Sequence, residues 1–268
     1  MKFIANFFVT ALFVPIFLLV VFFGSIKYQL LDYRFWQSKL THPVYTDMSK
    51  NIAKVVEIDS SRSKTVDPVL KVFSKLATPE NLQDFIEKNL LSFLMFANAE
   101  KSEWQIYFPI TKVPKGVLNI NGVKIQEYVT ASKLIQDFKI NGISEKHLSK
   151  ISKSGDLSVK YFVYGIFLLV VLLLISMLLV EAGARFIATG FLFILSGLTL
   201  YLLLIPVNVF IGSIKTEWVV SNEPLQLMLV PVLPQVLQSL TTTWTYVAIL
   251  AVILGIVVSF LKKPQIKV

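Results

Sequence analysis

Four long apolar runs without a charged residue set the pattern of hydrophobic and polar positions along this 268-residue chain, at 3–26, 161–180, 186–214 and 224–261. The hydrocarbon layer of a bilayer is ~30 Å thick, so a helix of about 20 apolar residues crosses it. Each run reaches that length. The pattern therefore predicts an α-helical polytopic membrane protein with four transmembrane helices, over 1–26, 161–180, 186–212 and 244–261. Residues 27–160 read as a small, mostly helical water-facing domain with a minor β element. Residues 213–243 read as an external segment with an amphipathic interfacial helix, and 262–268 as a cytoplasmic tail.

The first run follows Lys2 as a signal peptide would. It has no small-x-small cleavage site and exceeds a normal h-region, so it reads as an uncleaved anchor. Pro15 removes a backbone donor within it and predicts a kink. Only Glu181 to Arg185 separate the second run from the third, so those helices are expected to be antiparallel neighbours. Glu181 and Arg185 are spaced to pair if the helix continues through them.

In the third run Gly183, Gly190 and Gly197 recur every seven residues, with Ser196 beside the last. Such a stripe lets another helix approach closely, most simply the second or the fourth, or else a second copy of the chain. Asn208 beside Pro206 suggests a kink with a locally satisfied amide. The last run is too long for one crossing and barely long enough for two. Met228, Val232, Val236 and Leu240 share a face interrupted by Pro231 and Pro234, which suits an interfacial helix that turns into the span at Trp244. A re-entrant or fifth crossing is the alternative. Trp244 and Tyr246, with Lys262 and Lys263 at the other end, are the candidate membrane-interface residues.

Helical spacing dominates the first part of the water-facing segment. Residues 28–40 could continue the first helix outward, and Val44, Met48, Ile52 and Val55 mark another helix. Thr78-Pro79-Glu80 is a helix start, with Thr as N-cap, Pro at the first helical position and an acid in the first turn. Leu82, Phe85, Ile86, Asn89, Leu90, Phe93 and Leu94 follow as one face, and Ser61–Lys64 reads as a mobile link. Beyond Ala99, the alternation of Trp104, Ile106 and Phe108 with Gln105 and Tyr107 predicts a short strand ending at Pro109. Asn121-Gly122 between two short apolar runs predicts a hairpin with a type I′ turn. A helix around 131–138 and a polar stalk over 144–160 lead back to the membrane.

Composition narrows the function classes. Hydrophobic residues make up 54% of the chain, far above a globular average. Residues 27–160 hold 20 Lys and Arg against 14 Asp and Glu, which is +6 of the chain's +9. The charges are scattered, so they read first as a solvated surface, with attraction to anionic head groups as the functional alternative. No basic helix, aromatic platform or zinc spacing accompanies them, so no nucleic acid is expected. The chain has no cysteine, which excludes disulfides, thiolate catalysis and iron–sulfur clusters. His42 and His147 are far apart and lack metal-ligand spacing. There is no Gly-x-Ser-x-Gly elbow and no phosphate-cradling loop. Acid pairs such as Asp84/Glu87 and Glu100/Glu103 read as solvation, and Glu57 and Asp59 as unremarkable. No catalytic, metal or cofactor-binding residue is expected.

Lys2, Arg185, Lys262, Lys263 and Lys267 lie on the side of the termini, against Lys215 in the short opposite link. That favours both termini in the cytoplasm, although Lys27, Arg34, Lys39, Lys150, Lys153 and Lys160 flank the long segment and argue the other way.

Phe35-Trp36, Val44-Tyr45, the Thr78-Pro79-Glu80 helix with Phe85-Ile86 and Asn89-Leu90, Gly190 and Gly197, and the Leu-rich, Pro-containing stretch before the last span form a further pattern. It resembles uncharacterised bacterial four-span membrane proteins. The resemblance implies a plasma-membrane protein with an extracytoplasmic domain between the first two spans, and it brings no activity or functional residues. The expected function is that of a non-catalytic integral membrane protein whose external domain binds a partner or scaffolds an envelope complex. The expected partners are the lipid bilayer and other membrane or envelope proteins. The alternative is a subunit of an oligomeric channel or transporter.

Overall fold

The computed structural model describes residues 2–62, 77–108, 119–120, 123–124, 127–138, 145–181, 183–217 and 231–261. The protein is mostly helical. In chain order the helices are α1 (Lys2–Ser25), continued by a π-helical turn (Ile26–Leu30), α2 (Tyr33–Gln37), α3 (His42–Arg62), α4 (Pro79–Ala97), α5 (Ala131–Phe138), α6 (Glu145–Ile151), α7 (Ser154–Leu179), α8 (Arg185–Glu217) and α9 (Leu233–Phe260). The strands, all short, are β1 (Gln105–Tyr107), β2 (Asn119–Ile120), β3 (Val123–Lys124) and β4 (Tyr128–Thr130). Two compact units result. One comprises Met1–Gln29, Leu157–Gly212 and Leu237–Val268, and the other Leu30–Asp156 and Ser213–Val236.

The first unit holds four helices long and apolar enough to cross a membrane. Their faces turn outward: only 11% of the most apolar stretch of α1 and of α7 is buried, and 33% of that of α8. Phe167, Leu178, Val209 and Phe260 are among many large apolar side chains left exposed. Water around such a surface would cost ~25 cal/mol per Å² of apolar area. The small interior is built from Val9, Phe13, Leu172 and Leu192. Phe13 meets Phe193 edge-on at 5.8 Å. Helices α1 and α7 run antiparallel, with Phe23 stacked on Tyr161 at 5.0 Å and Gly165 against Val20.

Several sequence expectations change here. Helix α8, which contains Pro206, runs beyond residue 212, where the span is expected to end, to Glu217. Helix α9 is continuous through residues 243 and 244, where a turn from interfacial helix into span is expected. Thr241–Thr243 and Gln238 are polar, but none of them breaks a helix, and each costs no more than ~0.7 kcal/mol in helix propensity, so the ladder runs through them. Val232 and Val236 are buried and Gln235 is exposed. Met228 lies outside the described residues. The chain leaves helical geometry after Leu179, so Glu181 and Arg185 do not share a helical face. Arg185 Nε instead donates to the Val180 carbonyl at 3.2 Å.

The second unit is built around α4. Thr78 is extended and its hydroxyl accepts from Asn81 N–H, with Pro79 opening the helix. Helix α4 buries Leu82, Leu94, Phe96 and Ala97, while Phe85, Ile86, Asn89, Leu90 and Phe93 are half-buried. Val44, Met48 and Ile52 of α3 are buried as their spacing predicts; the Val55 side chain and residues 63–64 of the link lie outside the described residues. The continuation over 28–40 is in pieces: the π turn ends at Leu30, and Asp32 caps α2 by accepting from Arg34 N–H.

Strand β1 pairs antiparallel with β4 through Gln105↔Thr130, Ile106↔Val129 and Tyr107↔Tyr128. Strands β2 and β3 pair with Ile120 opposite Val123, the register of a two-residue hairpin; Asn121-Gly122 themselves lie outside the described residues. In the expected stalk, α6 and the first turn of α7 pack on the end of α4. A methyl on Gly155 would lie 2.7 Å from Asn98 Oδ1 and 2.9 Å from the Ala97 carbonyl, so only glycine fits this approach.

Candidate functional site

In the first unit the closest packing is between α8 and α9. A methyl on Gly197 would lie 2.6 Å from the Ala248 carbonyl oxygen and 2.9 Å from Val252 Cγ2. Gly190 faces the Gly255 carbonyl and Ser259 Oγ. The approach is reciprocal, because a methyl on Gly255 would meet the Gly190 carbonyl at 2.5 Å and Ile194 Cγ1 at 2.6 Å. Two backbones touch here because neither carries a side chain at the contact. Gly183, the first member of the heptad, has nothing within 4 Å. It sits in the turn before α8, where the periodicity no longer describes a helix face. Gly255 is the partner that spacing within one run could not reveal. Beside this seam Gly197, Tyr201, Ala248 and Val252 line a wholly apolar groove of about 190 Å³.

Hydroxyls in these helices mostly bond back to the carbonyl one turn earlier: Thr10 to Asn6, Ser25 to Val21, Thr199 to Leu195, Ser259 to Gly255. Ser176, fully buried, donates to Asn6 Oδ1 at 3.2 Å. The buried hydroxyls of Thr189 and Ser196 have no partner.

A second cluster gathers at one end of this unit. Trp244 Nε1 donates to Ser25 Oγ at 2.7 Å, and Gln29 Nε2 donates to Thr243 Oγ1 at 2.6 Å. The wide turn at Ile26–Leu30 carries Gln29 toward α9. Tyr28 packs edge-on Phe162 at 5.5 Å. Trp244 thus ties α9 to α1, while Tyr246 is 64% exposed. Lys262 and Lys263 lie outside the described residues. Asn208 is exposed on α8.

In the second unit, α4 gathers the polar groups. Tyr45 is fully buried and donates to Glu87 Oε1 at 3.3 Å, and Gln83 Nε2 donates to the same oxygen at 2.9 Å. Burial, then the Glu87 charge, pushes the Tyr45 phenol well above its ordinary value, and the same two causes raise Tyr33. One turn away, Tyr107 donates to Asp84 Oδ2 at 3.0 Å. Lys88 Nζ lies 2.9 Å from Asp84 Oδ1 and 4.1 Å above the Tyr107 ring. Burial and the Asp84 contact raise Tyr107, and the Asp84 carboxylate raises Lys88.

Asn89 receives the Tyr107 N–H at 2.9 Å and donates to the Tyr107 carbonyl at 3.0 Å. Ser92 donates to the Gln105 carbonyl at 2.6 Å. Side chains of α4 thereby satisfy the edge of β1 that faces away from β4. Asp84 and Glu87, expected to be solvated, are instead the anchors of two tyrosines. The fourfold spacing of Asp84 and Lys88 was visible in the chain, but the tyrosines come from elements far away in sequence. His42 and His147 are exposed, and no group of three His, Asp or Glu able to hold a metal occurs among the described residues.

Neither a protein-family model, nor a curated protein, nor a solved structure matches this chain.

Proposed function

We propose that this is a non-catalytic integral membrane protein whose second unit, held outside the cytoplasm, binds a partner or scaffolds an envelope complex. The observation that carries the membrane reading is the outward apolar surface of four helices, each long enough to span. An aqueous bundle of this size would turn those faces inward. Lys2, Arg185, Lys262, Lys263 and Lys267 favour both termini in the cytoplasm of a plasma-membrane protein. Support for a binding role comes from the second unit, where the polar groups of Tyr45, Glu87, Asp84, Lys88 and Asn89 hold α3, α4 and β1 together.

Two measurements test this. Alkaline and salt washing of native membranes, with protease mapping, should leave the helices embedded and the second unit accessible from outside. Release by salt, or cleavage of the second unit only from the cytoplasmic face, would refute the placement. Crosslinking in native membranes should then return a reproducible partner that is lost when the second unit is cut away.

The alternative, a subunit of an oligomeric channel or transporter, has one foothold: the buried, unpartnered hydroxyls of Thr189 and Ser196. Selective ion or solute flux in liposomes, abolished by Gly190→Leu, would favour it over the binding role.

A further inference from the structure

We infer that the lipid-facing surface of α8 continues past the level at which the other three spanning helices leave the hydrocarbon layer, so that acyl chains cover Val209. This rests on the membrane reading above and adds an oblique boundary between protein and bilayer.

Contacts within the first unit set the levels. Trp244 bonds to Ser25, and Phe23 stacks on Tyr161. Ser25, Tyr161 and Trp244 therefore lie near one plane. On one side of it each chain is apolar. On the other side polar residues begin: Lys27 and Gln29 after α1, Lys160 and Asp156 before the apolar part of α7, and Thr243, Thr242 and Gln238 before Trp244. An aromatic belt followed by polar residues is what a head-group plane selects.

Helix α8 can be placed against that plane in two ways. Gly197 packs on Ala248 in an antiparallel pair, and Trp244 is one turn before Ala248, which puts the plane near Tyr201. Phe193 packs on Phe13 in helices that run the same way, which puts it near Ile205. By either route Val209 lies past the plane, by ~6–12 Å at ~1.5 Å per residue.

Past that plane α8 exposes Asn208 but carries no charge before Lys215. No charge occurs between residues 186 and 214. Ile187, Phe191, Leu198, Leu202, Ile205 and Val209 share one helix face and all are exposed, with Ile194 and Leu195 half-buried between Phe191 and Leu198. From Leu198, in the part of α8 that lies level with the other spans, the exposed stripe runs on turn by turn to Val209. Its continuity with that lipid-facing surface identifies acyl chains as the occupant. Val209, 71% exposed, ends a helix face ~33 Å long, close to the full hydrocarbon thickness. The bilayer must then tilt relative to the bundle or thicken beside α8.

The chain has no cysteine, so single spin labels can be placed in the intact protein in phospholipid bilayers. Labels would be introduced by Phe191→Cys, Val209→Cys and Thr242→Cys, all at exposed positions. Collisions with oxygen, which partitions into lipid, are compared with collisions with a water-soluble nickel chelate. The expected result is that Val209→Cys behaves as Phe191→Cys, oxygen-dominated, while Thr242→Cys is nickel-dominated. A nickel-dominated signal at Val209→Cys with an oxygen-dominated one at Phe191→Cys would overturn this inference and leave the membrane reading standing. Dipolar broadening between Val209→Cys labels would also overturn it, because a second copy would then be the occupant. A nickel-dominated signal at Phe191→Cys would overturn both.

Discussion

Replacing Gly255 by alanine probes whether close backbone approach holds α8 to α9. The new methyl would lie 2.5 Å from the Gly190 carbonyl oxygen and 2.6 Å from Ile194 Cγ1. Carbon–oxygen contacts of this type ordinarily settle at ~3.3–3.6 Å, so the overlap is about 1 Å. The atom in the way is backbone and cannot rotate aside, so the helices must separate. Overpacking of this kind costs ~1–3 kcal/mol. Alanine regains ~0.8–1.0 kcal/mol over glycine in helix propensity. Adding the loss of close contacts along the seam, Gly255→Ala should destabilise by about 1–2 kcal/mol.

Gly212→Ala is the control. It lies in α8 with nothing within 4 Å, so propensity alone acts and stability should rise by up to ~1 kcal/mol. Reversible unfolding in mixed micelles, followed by tryptophan fluorescence against SDS fraction, reads both variants. Gly190→Ala combined with Gly255→Ala should be less than additive, since both force apart the same contact. If Gly255→Ala stabilises as much as Gly212→Ala, the seam is not tightly packed and the reasoning fails.

Thr78→Ala removes the oxygen that accepts Asn81 N–H and should cost ~1 kcal/mol in thermal unfolding of the second unit; an unchanged midpoint would deny the cap. Asn89→Ala leaves both polar groups of Tyr107 without their side-chain partner and should cost ~1–3 kcal/mol, with faster amide exchange at Tyr107 as its local mark. For Tyr45 and Tyr33 the folded phenols are raised above the ordinary value of 10.0. Their contribution is therefore fully present below pH ~10 and is lost as pH rises through the folded values. Tyr45→Phe should flatten the alkaline limb of the stability–pH curve, and a profile as steep as that of the parent protein would count against the burial and Glu87 charge that raise this phenol.

Local and periodic features of this protein were legible in its chain, because each is a property of consecutive residues. The lengths of the apolar runs define four candidate spans, Thr78-Pro79 opens a helix, and Val44, Met48 and Ile52 mark a buried face. Strand β4 escaped notice because three residues carry too little alternation, and only pairing with β1 makes Tyr128–Thr130 extended. The role of Asp84 and Glu87 escaped for a related reason. A carboxylate on a helix surface has the same sequence pattern whether it meets water or a tyrosine from another element. Tertiary structure alone also chose Gly255 as the partner of Gly190, left Gly183 facing open space, and brought Trp244 to Ser25. Periodicity shows which side of a helix is apolar or small. Which neighbour occupies that side, and at what height along it, is a distance between residues far apart in the chain, and three-dimensional packing sets it.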